Sequence, residues 1–101
     1  MKVVLNKAVN SYFHLSATAV QRLAERKGWM RSPRLSTDEI TTRIRALPRT
    51  DKDLIDITET LGASAGGPST ELAIVEVPDG LDWKIHEVVG FEFIYINGQV
   101  F

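Results

Sequence analysis

Gly62, Gly66 and Gly67, with Ser64, Ser69 and Thr70, bring backbone N–H groups and hydroxyls into one short loop, residues 61–70. Glycine has no side chain, so such a loop admits a ligand or another stretch of backbone at close range. It is not a Walker P-loop, because no Gly-Lys-Ser/Thr follows. It also runs from a helix pattern into a strand pattern. That reverses the order that aims a helix N-terminus at phosphate. The residues leave two readings, a cradle for a phosphate-bearing ligand or a helix-to-strand turn, and the order of elements favours the turn. The matching cations are arginines. Arg22 and Arg26 stand at i, i+4 on one helix face, and Arg43, Arg45 and Arg49 follow on the next helix and its exit. Two or three of them converging would hold a pair of phosphates, with a Phe or Tyr stacking a base. Standing singly, they would be solvated helix residues.

Other chemistries find little support. With no cysteine among 101 residues, a disulfide, a thiolate nucleophile and Cys-ligated zinc are excluded. The two histidines, His14 and His86, fall in no metal-binding spacing. "GASAGG" lacks the G-x-S-x-G spacing of an activated serine. The acids of the C-terminal half alternate with apolar residues, as on the solvent face of a sheet. Catalysis is not expected, and neither is a cofactor. No apolar run approaches about 18 residues, so no membrane span is expected.

Charge is unevenly distributed. Residues 22–52 carry nine Lys/Arg and four Asp/Glu, whereas residues 53–101 carry nine acids and one base, Lys84. This polarity would steer an anion to the basic part, pair copies head to tail, or simply present two solvated faces. With a sequence pI near 6.1 and basic residues interspersed along helices, duplex nucleic acid is not an expected partner.

These residues need elements to position them. "KVVLN" reads as a strand, and Ser16 caps a helix that Gly28 ends. Ser36 and Glu39 form a capping box for a second helix that stops at Pro48. Thr50 is read as the cap of a third, closed by Gly62. "TELAIVEV" is apolar on both faces, the mark of a buried strand. Pro78-Asp79-Gly80 turns the chain into "DWKIHEVV", Gly90 into "FEFIYI", and Asn97-Gly98 into "QVF". The expected fold is one small α+β domain over residues 1–101: an antiparallel β-meander of three to five strands, packed with two or three helices. "FEFIYI" is apolar on both faces in a chain too short to bury both well, which points to a second copy, the alternative being that helices cover one face and loops the other.

The order of these patterns resembles a family of small phage and prophage proteins. "MKVVLNKAVNSYFHLS" is similar to the family's opening strand and L-S helix start. "RTDKDLIDITETLGASAGGPSTELAIVEVPDGLDWKIHEVVGFEFI" is similar to its R-T-D-x-x-L-I helix, its glycine loop, its L-x-I-V-E-I-P-D strand and its W-x-I-x-E strand. The family is identified as the first-described type of Thoeris anti-defence protein. Those proteins are oligomeric sponges that sequester cyclic ADP-ribose-type signals, and in some members cyclic oligonucleotides. The resemblance implies a phage-encoded homo-oligomer in the host bacterial cytoplasm, binding a small cyclic nucleotide without hydrolysing it. The chain departs from the family at Ala65-Gly66-Gly67, where Asn usually precedes the last glycine. "AVNSYF" replaces a Cys-x-Gly-Gly-Phe segment, and "YINGQVF" replaces a His-Arg-Thr-Trp tail.

Chemistry and resemblance together give a candidate ligand set. Gly66, Gly67, Ser69 and Thr70 would make backbone and hydroxyl contacts, Phe91 or Phe93 would stack adenine, and Arg43, Arg45 or Arg49 would meet phosphates. The pocket is expected between copies. The alternative is a small phage protein that inhibits a host or defence protein by binding it directly. A cyclic-nucleotide-cleaving enzyme fits least.

Overall fold

β1 (Lys2–Asn6) sets the layering of this computed structural model, which describes residues 1–31, 33–96 and 99–100. It pairs antiparallel with β2 (Leu72–Glu76), from Lys2 opposite Glu76 to Asn6 opposite Leu72. Side chains alternate along a strand. Val4, with Leu72 and Ile74, therefore packs into the helical core, while Val3 and Leu5, with Val75, pack on a second sheet. That sheet is an antiparallel meander of β3 (Trp83–Val88), β4 (Phe91–Ile96) and β5 (Gln99–Val100). The β1–β2 ribbon is thus a middle layer, with helices on one side and the meander on the other.

The α+β class and the meander are as expected, but the strands divide differently. The N-terminal strand pairs with β2 in a ribbon of its own, and β2 has no hydrogen-bonded partnership with β3. Residues 77–82 form a longer connection than the two-residue turns that keep strands paired, so the chain changes layer there. The two-sided apolar pattern of β2 follows from its place between layers. In β4, Ile94 and Ile96 are buried against the ribbon within the same chain, and Phe91 and Phe93 are left half-buried on the outer face. The Asn97-Gly98 hairpin expectation lies outside the described residues; beside it, Tyr95 pairs with Val100 and Ile96 with Gln99.

α1 (Ala17–Lys27) starts at Ser16, whose Oγ accepts the Ala19 N–H at 3.2 Å, and ends at Gly28 with φ 76°. α2 (Thr37–Ala46) begins with the complete Ser36–Glu39 capping box. α3 (Lys52–Leu61) is capped by Asp51 rather than Thr50: Asp51 Oδ2 accepts the Leu54 N–H at 3.0 Å. A carboxylate suits a helix N-terminus better than a hydroxyl. This one also accepts from Lys27 Nζ at 2.8 Å, tying α1 to α3. Burial pushes the Asp51 carboxyl up, but the Lys27 ammonium and the Leu54 N–H outweigh it and hold the group below its ordinary 3.8. The hydrogen bonds to Asp51 and Asp53 raise Lys27 in turn.

The irregular connector between β1 and α1 is anchored at two places that concern the site. Asn6, fully buried, donates from Nδ2 to the carbonyls of Ser11 (3.1 Å) and Gly90 (2.9 Å). Gly90, at φ 85°, lies so close that a Cβ there would sit 1.4 Å from the Ser11 oxygen. Only glycine fits both the backbone and the space.

Candidate functional site

The second anchor is the glycine loop. Gly67 N donates to the His14 carbonyl at 3.0 Å, Ser16 N donates to the Ala65 carbonyl at 2.8 Å, and Leu15 bridges Gly66. A Cβ on Gly67 would meet His14 Nε2 at 2.0 Å, and one on Gly66 would meet the Thr70 carbonyl oxygen at 2.6 Å. The close approach that Gly67 permits is therefore to the chain's own connector, and that of Gly66 is to the loop's own Thr70. Gly66 and Gly67 thereby help to hold Leu15 and His14 in place. Thr70 works in the same direction. Its hydroxyl donates to the Tyr12 carbonyl at 3.0 Å and, with its proton placed there, accepts from His14 Nδ1 at 2.9 Å. Ser69 is exposed at φ 62°.

The connector so fixed forms one wall of a cleft of about 310 Å³ against α2. Leu15, Val20 and Ile44 supply its apolar lining, and Phe13, His14, Thr41 and Arg45 supply a ring, an imidazole, a hydroxyl and a guanidinium. Thr41, Ile44 and Arg45 share one helix face by their i, i+3, i+4 spacing. Arg45 is exposed, and among the described residues no carboxylate lies within ion-pairing distance of it. An unpaired guanidinium over an apolar lining suits an anionic group joined to a flat, less polar body.

The other expected phosphate ligands lie elsewhere. Arg49 is a correction: its Nη1 and Nη2 donate to Glu92 Oε1 and Oε2 at 2.7 and 2.9 Å, a bidentate pair with both side chains largely buried. Its guanidinium carbon sits 3.5 Å from the centre of the Phe13 ring. The pair also completes the free edge of β1, since the Arg49 carbonyl accepts from Val4 N at 2.9 Å and Glu92 Oε1 accepts from Asn6 N at 2.7 Å. Burying two charges is tolerable only when such bonds satisfy them. Arg49 is thus structural. Arg43 lies 5.9 Å from the Trp29 ring, in a groove with Asp38 and Glu39 and outside the Arg45 cleft. Arg26 pairs with Asp53 and Asp56, and Arg22 lines a groove beside Glu25. Phe91 and Phe93 lie on the outer face of the meander, on neither wall of the cleft.

Of the residues singled out from sequence, the cleft therefore contains Arg45, with Gly66, Gly67 and Thr70 supporting its His14 wall. Phe13, His14 and Thr41 were not anticipated as ligand contacts. The i, i+4 pairing of Thr41 with Arg45 was a usable signal. The connector residues offered none, because their position depends on the glycine loop. Compared with known protein families, with curated proteins and with solved structures, the chain has no match.

Proposed function

We propose that this chain is a non-catalytic binding protein for a small phosphate-bearing nucleotide. Arg45 meets a phosphate, His14 and Thr41 offer polar contacts, and Phe13 borders the base or ribose. The observation that carries this reading is the Arg45 guanidinium at the rim of an apolar cleft, with no ion-pair partner among the described residues. The resemblance narrows the ligand to a cyclic ADP-ribose isomer or a cyclic oligonucleotide. It also supplies the role: a phage-encoded sponge in the host cytoplasm that withdraws an immune signal from anti-phage defence without hydrolysing it. At about 310 Å³ the cleft is at the small end for ligand sites, so a second copy closes it around a ligand of that size. Isothermal titration with cyclic ADP-ribose isomers tests the reading. Saturable heat that is lost in Arg45→Ala, with the ligand recovered intact after denaturation, is the expected result. Absence of heat at high protein concentration contradicts it.

A second reading, direct inhibition of a host or defence protein, draws on exposed apolar side chains. Val9, Tyr12 and Val89 are all exposed, and the Asn10 N–H to Val89 carbonyl bond of 2.8 Å brings the first and last of these segments together. A stoichiometric protein captured from host lysate by the wild type and not by Val89→Asp favours that reading.

A further inference from the structure

The outer face of the meander takes no part in the cleft and has a chemistry of its own. Register sets Lys84, His86 and Val88 of β3 beside Tyr95, Phe93 and Phe91 of β4. Their rings run continuously: Phe91 to Phe93 at 6.5 Å, Phe93 to His86 at 5.7 Å, His86 to Tyr95 at 5.0 Å between centroids. Lys7 reaches across to this face. Its Nζ lies 4.8 Å from the Phe91 centroid and donates to the Glu92 carbonyl at 2.8 Å. The face is open, with Tyr95 exposed at 37% and Val88 at 59%.

Charge on this face departs from its surroundings. Residues 53–101 hold nine acids and one base. None of the six residues in that register is acidic, and the one base, Lys84, is among them. The two acids of the paired strands are engaged away from the rings: Glu92 with Arg49, and Glu87 with the Gly90 N–H at 2.7 Å. A ring platform flanked by two lysines matches unpaired bases, which stack on any π-face, with phosphates reaching the cations. Isologous packing of two such faces would set the lysines of one copy near those of the other. A duplex offers no free base faces to these rings.

We propose that the outer face of β3–β4–β5 binds a short single-stranded nucleic acid, stacking bases on Phe91, Phe93 and Tyr95 and meeting phosphates with Lys84 and Lys7. This site is separate from the Arg45 cleft and does not rest on the nucleotide reading given for it.

Fluorescence anisotropy of a labelled oligouridylate of about eight nucleotides, titrated with the full chain, tests the proposal. A saturable rise is expected for the single strand and not for a duplex of equal length. Two lysine–phosphate contacts predict a log K against log salt slope near about −1.4, reduced to about −0.7 in Lys84→Met. Lys84→Glu, on an exposed side chain, should weaken binding about tenfold or more with an unchanged circular dichroism spectrum. Tyr95→Ala should weaken it about tenfold through lost stacking, and Arg45→Ala should bind as the wild type does. Any of four results overturns the proposal. The anisotropy stays flat at about 100 μM protein, the weak end of non-specific binding. Lys84→Glu binds like the wild type. Arg45→Ala abolishes binding. Sedimentation shows a dimer that Lys84→Glu dissociates, which makes the face an interface between copies.

Discussion

Arg45 and Arg49 are neighbours in sequence and opposites in circumstance. Arg49 leaves the end of α2 and is met by Glu92, a residue 43 positions further along the chain, with a ring beneath it and the edge of β1 beside it. Arg45 stays on the helix, has no carboxylate within ion-pairing distance among the described residues, and borders a cleft. The difference teaches where a cation becomes architecture and where it stays available. A buried arginine needs a carboxylate delivered from a distant element, and its charge is then committed to that pair. An exposed arginine over apolar lining keeps its donors free and contributes little to stability.

The largest effect that would break this comparison comes from removing the partner of Arg49. Glu92→Ala leaves a partly buried guanidinium uncompensated and the Asn6 N–H without its acceptor. We expect a loss of about 3–5 kcal/mol in urea denaturation. A loss under about 1 kcal/mol would place Arg49 in the same class as Arg45.

Gly90→Ala comes next. The added Cβ meets the Ser11 carbonyl at a backbone angle that L side chains rarely adopt. A loss of about 2–3 kcal/mol is expected from overpacking and strain together. Because Gly90 fixes the start of the connector that carries Phe13 and His14, ligand affinity should fall with it. Unchanged affinity would show that the glycine loop alone holds the cleft wall.

The Lys27–Asp51 pair gives a pH test. The folded Asp51 carboxyl titrates below its ordinary 3.8, so its contribution is complete above that value and is lost as pH falls through the folded value. Lys27 is raised above its ordinary 10.5, so its contribution is complete below that value and is lost as pH rises through the folded one. Thermal melts should therefore be level near neutrality and fall at both ends. Lys27→Met should lower the plateau and flatten the acid limb. An acid limb unchanged in that variant would remove the pair as its cause.

The smallest stability effect is expected at Arg45. Arg45→Ala should stay within about 0.5 kcal/mol of the wild type while losing ligand binding. A substantial loss of stability there would mean that this arginine, too, serves the fold.

The helix boundaries were legible in sequence because caps are local. Ser16, Gly28 and the Ser36–Glu39 box bond within a few residues of themselves. The third cap was misplaced by one residue because Thr50 and Asp51 are both plausible neighbours, and the choice turns on Lys27 from another helix. Strand existence was legible, but layering was not. β2 finds its partner at the far end of the chain, Glu76 opposite Lys2, and no periodicity encodes that pairing. The site was legible only at Arg45. The glycines of residues 61–70 read in sequence as places of close approach; His14 approaches Gly67, the Thr70 carbonyl approaches Gly66, and Gly62 stands open. Phe91 and Phe93, the expected stacking rings for adenine, lie 6.5 Å apart between centroids on a face that does not border the Arg45 cleft.

Amide and side-chain NMR shifts on titration with a cyclic ADP-ribose isomer test the central claim most directly. The account predicts shifts that concentrate at Phe13, His14, Thr41 and Arg45 while Arg49 and Glu92 stay fixed. Shifts centred on Phe91 and Phe93, with the Arg45 cleft silent, would contradict it.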